Sequence, residues 1–177
     1  MKPPYAIQTP LTEEVLRPLR AGDEVLLSGT VYAARDQAHK RLCALMEAGQ
    51  PLPFALAGQA IYYVGPTPAR PGRVIGAAGP TTSSRMDAFT PALLARGLKA
   101  TIGKGLRGPA VQQAIVQYGA VHFSAIGGAG ALLSQYIVAN EPVAWDDLGA
   151  EALRRLVFKD FPLVVAYDAI GGCVYKF

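Results

Sequence analysis

The sequence predicts an α/β or mixed, three-layer α+β fold, and three observations predict it. Short apolar runs rich in β-formers alternate with segments of helical apolar period along most of the chain. Glycine and proline, 19 and 14 of 177 residues, fall between those runs, where turns are needed. Hydrophobic residues reach 51% against 17% charged, enough for a sizeable core in one domain and short for two, so residues 1–177 read as a single domain.

In chain order, Tyr5 to Thr9 reads as a short strand ended by Pro10, and Thr12 caps a brief helical turn to Arg17. Glu24 to Tyr32, an apolar run interrupted at Gly29, reads as a buried strand. From Ala34 the period becomes helical, with Ala38, Leu42, Leu45 and Met46 on one face through Gly49. Gln59 to Val64 is a strand halted by Pro66 and Pro68, and residues 73–78 deliver the chain to Gly79. A helix follows from Met86 or Thr90, with Pro91 in its first turn and Gly97 after its end. Leu98 to Ile102 and Ala120 to Ile126 read as strands around a helix at 108–118. The remainder reads as a glycine turn at 127–130, helices at 131–138 and 148–156 separated by a loop at Pro142, and closing strands at 163–167 and 173–175.

A net charge of +4 with scattered lysines and arginines argues against a nucleic-acid footprint. An anionic small molecule needs only two or three converging cations. Cys43 and Cys173 lack metal-ligand spacing and read as free thiols of a reducing compartment. With no apolar targeting core at the N-terminus and no run of membrane-spanning length, the expected location is the cytoplasm, away from any membrane.

Chemistry that no fold requires is concentrated in Gly79 to Asp87, GPTTSSRMD, and in Gly97 to Gly105, GLKATIGKG. Thr81, Thr82, Ser83 and Ser84 are small hydroxyl carriers of the kind that cap helices. Arg85 beside the free amides of a helix start would form a carboxylate or phosphate clamp, and the bland alternative is a cap with a surface arginine. Lys104 stands between two glycines directly after a strand, where a permissive backbone presents it. Arg35 and His39, spaced i, i+4, share a face of a helix that opens just after a strand. Asp36 and Lys40 share the same spacing and fit an ordinary helical ion pair. His122 in an alternating strand reads as a packed histidine, and Gly127 to Gly130 as a close-packing turn without nucleotide-binding spacing.

Together, Ser28 to Leu42, Ile61 to Asp87, Gly97 to Gly105 and Phe123 to Leu132 resemble the class I, iron–sulfur-dependent fumarate hydratase and L(+)-tartrate dehydratase family. More narrowly, they are similar to its C-terminal domain, which is a separate β subunit in two-subunit members. The resemblance covers nearly the whole chain. It implies a swivelling β/β/α domain docked on a larger α subunit, whose cysteines hold a 4Fe–4S cluster that this chain does not ligate. It also implies a small dicarboxylate substrate and a dimer of αβ pairs. Carried over by motif, Arg35 and Arg85 are the carboxylate clamps, Lys104 and Thr82 add substrate contacts, Thr81 takes part in proton transfer at carbon, and His39 stands at the rim of the site. The implied activity is reversible hydration of fumarate to malate, with tartrate dehydration the near variant. The basic run Arg154 to Lys159 stands where many members are acidic. Two readings from other classes stay open: a non-catalytic anion-binding or assembly module, and a basic RNA-associated domain.

Overall fold

Two long antiparallel strands organise the chain, β2 (Glu24–Ala33) and β7 (Leu153–Tyr167), paired from Glu24↔Val164 to Ala33↔Arg154. The computed structural model describes residues 1–126 and 128–175. On its other edge β2 carries two parallel neighbours, β1 (Tyr5–Gln8) beside its first half and β3 (Ala60–Tyr62) beside its second. The parallel series continues through β4 (Ala100–Gly103) to β5 (Val121–Ser124), and β5 pairs antiparallel with the C-terminal part of β7. The sheet therefore closes on itself through β2, β3, β4, β5 and β7, while β6 (Ile137–Ala144) lies against the first half of β7.

Helices α1 (Glu13–Leu16), α2 (Asp36–Glu47), α3 (Thr90–Ala95), α4 (Pro109–Gln117) and α5 (Gly130–Leu133) alternate with the strands, so the architecture is mixed α/β. Because successive strand residues point to opposite faces, β3 divides its side chains between two cores. Ala60 and Tyr62 join Leu27, Val31, Phe123 and Phe161 on one side. Ile61 and Tyr63 join Leu42, Met86, Leu93 and Val111 on the other, under α2, α3 and α4. In the first core the Phe158 and Phe161 rings stack at 4.0 Å, with Tyr62 edge-on to both. The Tyr62 hydroxyl donates to the Ala78 carbonyl at 2.6 Å, tying the loop before Gly79 to β3.

The C-terminal third departs from the expected pattern. Residues 137–144 form a strand where a helix end and a Pro142 loop were expected; Pro142 is tolerated because β6 is an edge strand with a register irregularity between Pro142 and Ala144. The expected helix at 148–156 is instead a 3-10 turn, Asp146–Glu151, followed by β7. Apolar Val157 hides the alternation of Leu156 and Phe158. Arg155 donates to Thr30 Oγ1 at 3.0 Å and faces Glu141 at 3.4 Å, so this part of the basic run is tied across the sheet. The expected strand at 173–175 amounts to one bridge, Tyr167↔Cys173. Among the described residues no helix is long and apolar enough to cross a membrane.

Phe161 is fully buried between Phe158 and Tyr62. Phe161→Ala should cost about 3–5 kcal/mol, read as a lower urea midpoint with an unchanged slope. A loss below about 1 kcal/mol would show that the closed sheet does not depend on this stack.

Candidate active site

The four parallel strands β2 to β5 end on one side, and loops beyond the carboxyl ends of such strands are where α/β proteins gather their ligands. Arg35 follows β2 as the N-cap residue of α2, and Lys104 directly follows β4. Between the extensions of β3 and β4 runs the hydroxyl-rich segment. Thr81 N–H donates to the Tyr63 carbonyl at 2.7 Å, Lys104 N–H to the Thr81 carbonyl at 3.3 Å, and Ser83 N–H to the Lys104 carbonyl at 2.8 Å. Thr81, half-buried, and Thr82 and Lys104, both exposed, are thereby brought together. Gly103 permits this approach: a Cβ there would stand 2.2 Å from Ser83 Oγ.

The segment then turns through the 3-10 helix Ser83–Met86, which carries Arg85 back toward α2. Arg85 Nε lies 3.1 Å from Asp36 Oδ1 and Nη2 lies 3.0 Å from Oδ2, a two-point pair. Arg35 Nε is 3.6 Å from the same Oδ2 and 3.5 Å from Glu151 Oε1. Asp36 thus stands between the two arginines. The expected Asp36–Lys40 helical pair does not form, because the guanidiniums converge on this carboxylate first. Glu151 also accepts from Gln37 N–H at 3.4 Å, and Arg41 grips Asp147 at 2.6 and 3.0 Å, so the 3-10 turn Asp146–Glu151 is fastened to α2. The Arg35 side chain lies on Gly65, where a Cβ would stand 2.8 Å from Nη1.

Three expectations need correction. His39 does not line a rim: its ring is fully buried against Tyr63 and Phe89, with Nδ1 2.8 Å from the Arg35 carbonyl oxygen and Nε2 without a hydrogen-bond partner. Its contact with the site runs through the Arg35 backbone. The hydroxyl run does not cap an α-helix: Thr82 makes no side-chain cap bond, Ser83 turns inward, and α3 begins only at Thr90. Arg85 therefore sits on a 3-10 turn rather than at an α-helix N-terminus. The glycine turn performs the packing role expected of it, since the Gly130 carbonyl accepts from Ala78 N–H at 3.0 Å; Gly127 lies outside the described residues.

Sequence reasoning missed what lies beneath. Arg107, with a fully buried side chain, donates from Nε to Asp87 Oδ1 at 2.8 Å, from Nη1 to the Tyr63 hydroxyl at 3.0 Å and Thr101 Oγ1 at 3.2 Å, and from Nη2 to Thr90 Oγ1 at 2.7 Å. Asp87 Oδ2 also accepts from Gly108 N–H at 2.6 Å. His122, set aside from its sequence context, completes the group: Nδ1 is 2.7 Å from Thr101 Oγ1 and Nε2 is 3.2 Å from Ser83 Oγ. Asp87 closes the first of the two motif segments and Arg107 lies just beyond the end of the second, the single signal by which they could have been paired in advance.

Burial, reinforced by the Arg107 charge, pushes the His39 pKa down to about 4 and that of His122 well below its ordinary value. The folded state thus favours neutral rings, while the unfolded chain takes up protons near pH 6.5. Stability from this source is full above about pH 6.5 and falls on acidification toward 4, by up to about 1.4 kcal/mol per pH unit per histidine. NMR titration should find both rings neutral at pH 5.5; a ring titrating near 6.5 would contradict its burial. Among the described residues no group of three His, Cys, Asp or Glu side chains gathers as a metal-ligand set, and Cys43 and Cys173 are free thiols.

Comparison with known proteins gives the chain a family. A family model described as "Fumarase C-terminus" matches residues 5–177. The anaerobic class I fumarate hydratase of Escherichia coli K12 is 36% identical over 152 residues, 85% of this chain and 28% of the relative. Fumarate hydratase 2 of Leishmania major is 34% identical over 157 residues, again 28% of the relative. The L(+)-tartrate dehydratase subunit beta of E. coli K12 is 34% identical over 171 residues, 94% of this chain and 84% of that subunit. The chain spans less than a third of the length of these fumarate hydratases but most of the tartrate dehydratase subunit. With the family model matched over nearly its whole length, the chain belongs to the fumarase C-terminal family.

Proposed function

We propose that this chain is the β subunit of a two-subunit hydro-lyase that reversibly hydrates fumarate to malate, and that it acts as the family's swivelling β/β/α domain, with residues 1–177 as one unit. The observation that carries the reading is the convergence of Arg35 and Arg85 on Asp36, with Thr81 and Lys104 on the paired segments that extend β3 and β4 at the carboxyl ends of parallel strands. The names of its relatives support the reaction class.

Arg35 and Arg85 bind the two carboxylates of the diacid. Each is approached by an acid along its Nε edge, so a carboxylate of the substrate takes up the remaining guanidinium N–H groups. In the dehydration direction, loss of the proton from the carbon next to a carboxylate builds enediolate-like charge on that carboxylate. Two guanidiniums and the Lys104 ammonium stabilise that charge more than the ground state. Thr81 receives the proton in this scheme. Its hydroxyl is a very weak base, so the surrounding cations and a partner group must lower its pKa. Thr82 borders the substrate beside Lys104.

Cys43, partly buried on α2, and Cys173, partly buried beyond β7, do not fit an iron–sulfur site. The 4Fe–4S cluster implied by the family belongs to an α subunit in this proposal, and no step on this chain runs through it. A dimer of αβ pairs is the proposed assembly, in the cytoplasm. A second reading, dehydration of tartrate, is favoured by the coverage of the tartrate dehydratase subunit beta.

Co-expression with the α subunit under anaerobic conditions, followed by assays on fumarate and L(+)-tartrate, tests the proposal. Activity should require both chains, and its preferred diacid decides between the two substrates. Arg35→Ala or Arg85→Ala should each lower kcat/KM at least about a hundredfold. Near-normal rates in both variants would overturn the clamp assignment, and a stable pair inert toward either diacid would overturn the substrate class.

A further inference from the structure

Of the four consecutive hydroxyl residues, only Ser83 is fully buried, and its Oγ meets His122 Nε2 at 3.2 Å. On the other side of the ring, Nδ1 faces Thr101 Oγ1 at 2.7 Å and Arg107 Nη1 at 3.4 Å. Arginine can only donate. Arg107 Nη1 therefore places a donor toward Nδ1, and Thr101 Oγ1, which accepts from Arg107, has its own proton to give to the same nitrogen, an arrangement that suits a lone pair on Nδ1. A neutral imidazole with Nδ1 bare carries its proton on Nε2 and donates it to Ser83 Oγ.

The donors therefore run in one direction, from Arg107 through Thr101 and His122 to Ser83. They end on a segment that few backbone bonds hold, at Thr81 N, Lys104 N and Ser83 N. We propose that Arg107 is a positioning residue, which fixes His122 as the Nε2–H tautomer and through Ser83 holds Thr81 and Lys104 in register. The kinetic consequence rests on the hydro-lyase reading, whereas the tautomer and the local ordering do not.

The test combines three readouts on the full chain and its complex with the α subunit. In the wild type, nitrogen-15 shifts should report a bare Nδ1 and a protonated Nε2 on His122. Ser83→Ala leaves the Arg107 contacts whole and removes only the final link. It should speed hydrogen exchange at the amides of positions 81, 83 and 104 about tenfold, the worth of one hydrogen bond, without changing exchange in β4 and β5. It should lower kcat about tenfold with KM held within about twofold. Arg107→Lys, which keeps charge but not the fork, should bring His122 to a mixture of tautomers; if that variant does not fold, Ser83→Ala still decides.

A protonated Nδ1 in the wild type, unchanged exchange in Ser83→Ala, a rise spread evenly over β3, β4 and β5, or unaltered turnover would each overturn the positioning role. If the wild-type pair hydrates no diacid, the hydro-lyase reading fails, and the tautomer and exchange results still decide this inference.

Discussion

A guanidinium shut away from water must find protein acceptors for its charge and its donors, and the site rests on how Arg107 does so. A buried charge without partners is among the costliest defects a fold can carry. Arg107 draws on Asp87 from the end of the hydroxyl-rich segment, Tyr63 from beyond β3, Thr101 from β4 and Thr90 from α3. Satisfying one side chain therefore gathers the loops that carry Thr81, Arg85 and Lys104. The acceptors face the helix side of the sheet because strand alternation puts Thr101 and His122 opposite Ala100, Ile102, Val121 and Phe123.

Above that base, the cationic groups have different degrees of freedom. Lys104 extends from a loop whose backbone is bonded on both sides to the Thr81–Ser83 strand-like stretch. Arg85 is half-exposed and Arg35 mostly covered, yet both are oriented by Asp36, which occupies the first position of α2. A carboxylate between two arginines lowers their net charge and fixes their direction together. Two guanidiniums already directed by an internal acid thus stand beyond the ends of strands fixed in a closed sheet. Preorganised charge of this kind favours a charged transition state over a flexible ground state.

Much of this was legible in the sequence, and the boundary of legibility is physical. β2, α2 and α4 follow from local periodicity, because each buries one face, and β4 and β5 follow as short apolar runs bounded by turn residues. Arg35, Thr81, Arg85 and Lys104 could be singled out because guanidinium, hydroxyl and glycine-flanked ammonium groups have chemistry to offer that packing does not need. β6 and the first part of β7 were not legible, although Leu163 to Tyr167 was read as a strand: the ladder of that first part is set by pairing with β2 and β6, and Val157 masks its alternation. Nor were the Asp36–Arg85 and Asp87–Arg107 pairs, which join residues 49 and 20 positions apart and leave no periodic trace. His39 shows the converse. Its spacing from Arg35 was read correctly, but burial of the ring depends on Tyr63 and Phe89, which spacing cannot reveal.

The central claim is that Arg35 and Arg85 of this chain grip the carboxylates of a small diacid in a shared site with a partner subunit. A crystal structure of the anaerobic pair with malate tests it most directly. The account predicts each malate carboxylate within about 3 Å of the nitrogens of one of these two guanidiniums, with Thr81 and Lys104 facing the same molecule. Malate bound elsewhere, with Arg85 still closed on Asp36 and Arg35 untouched, would contradict it.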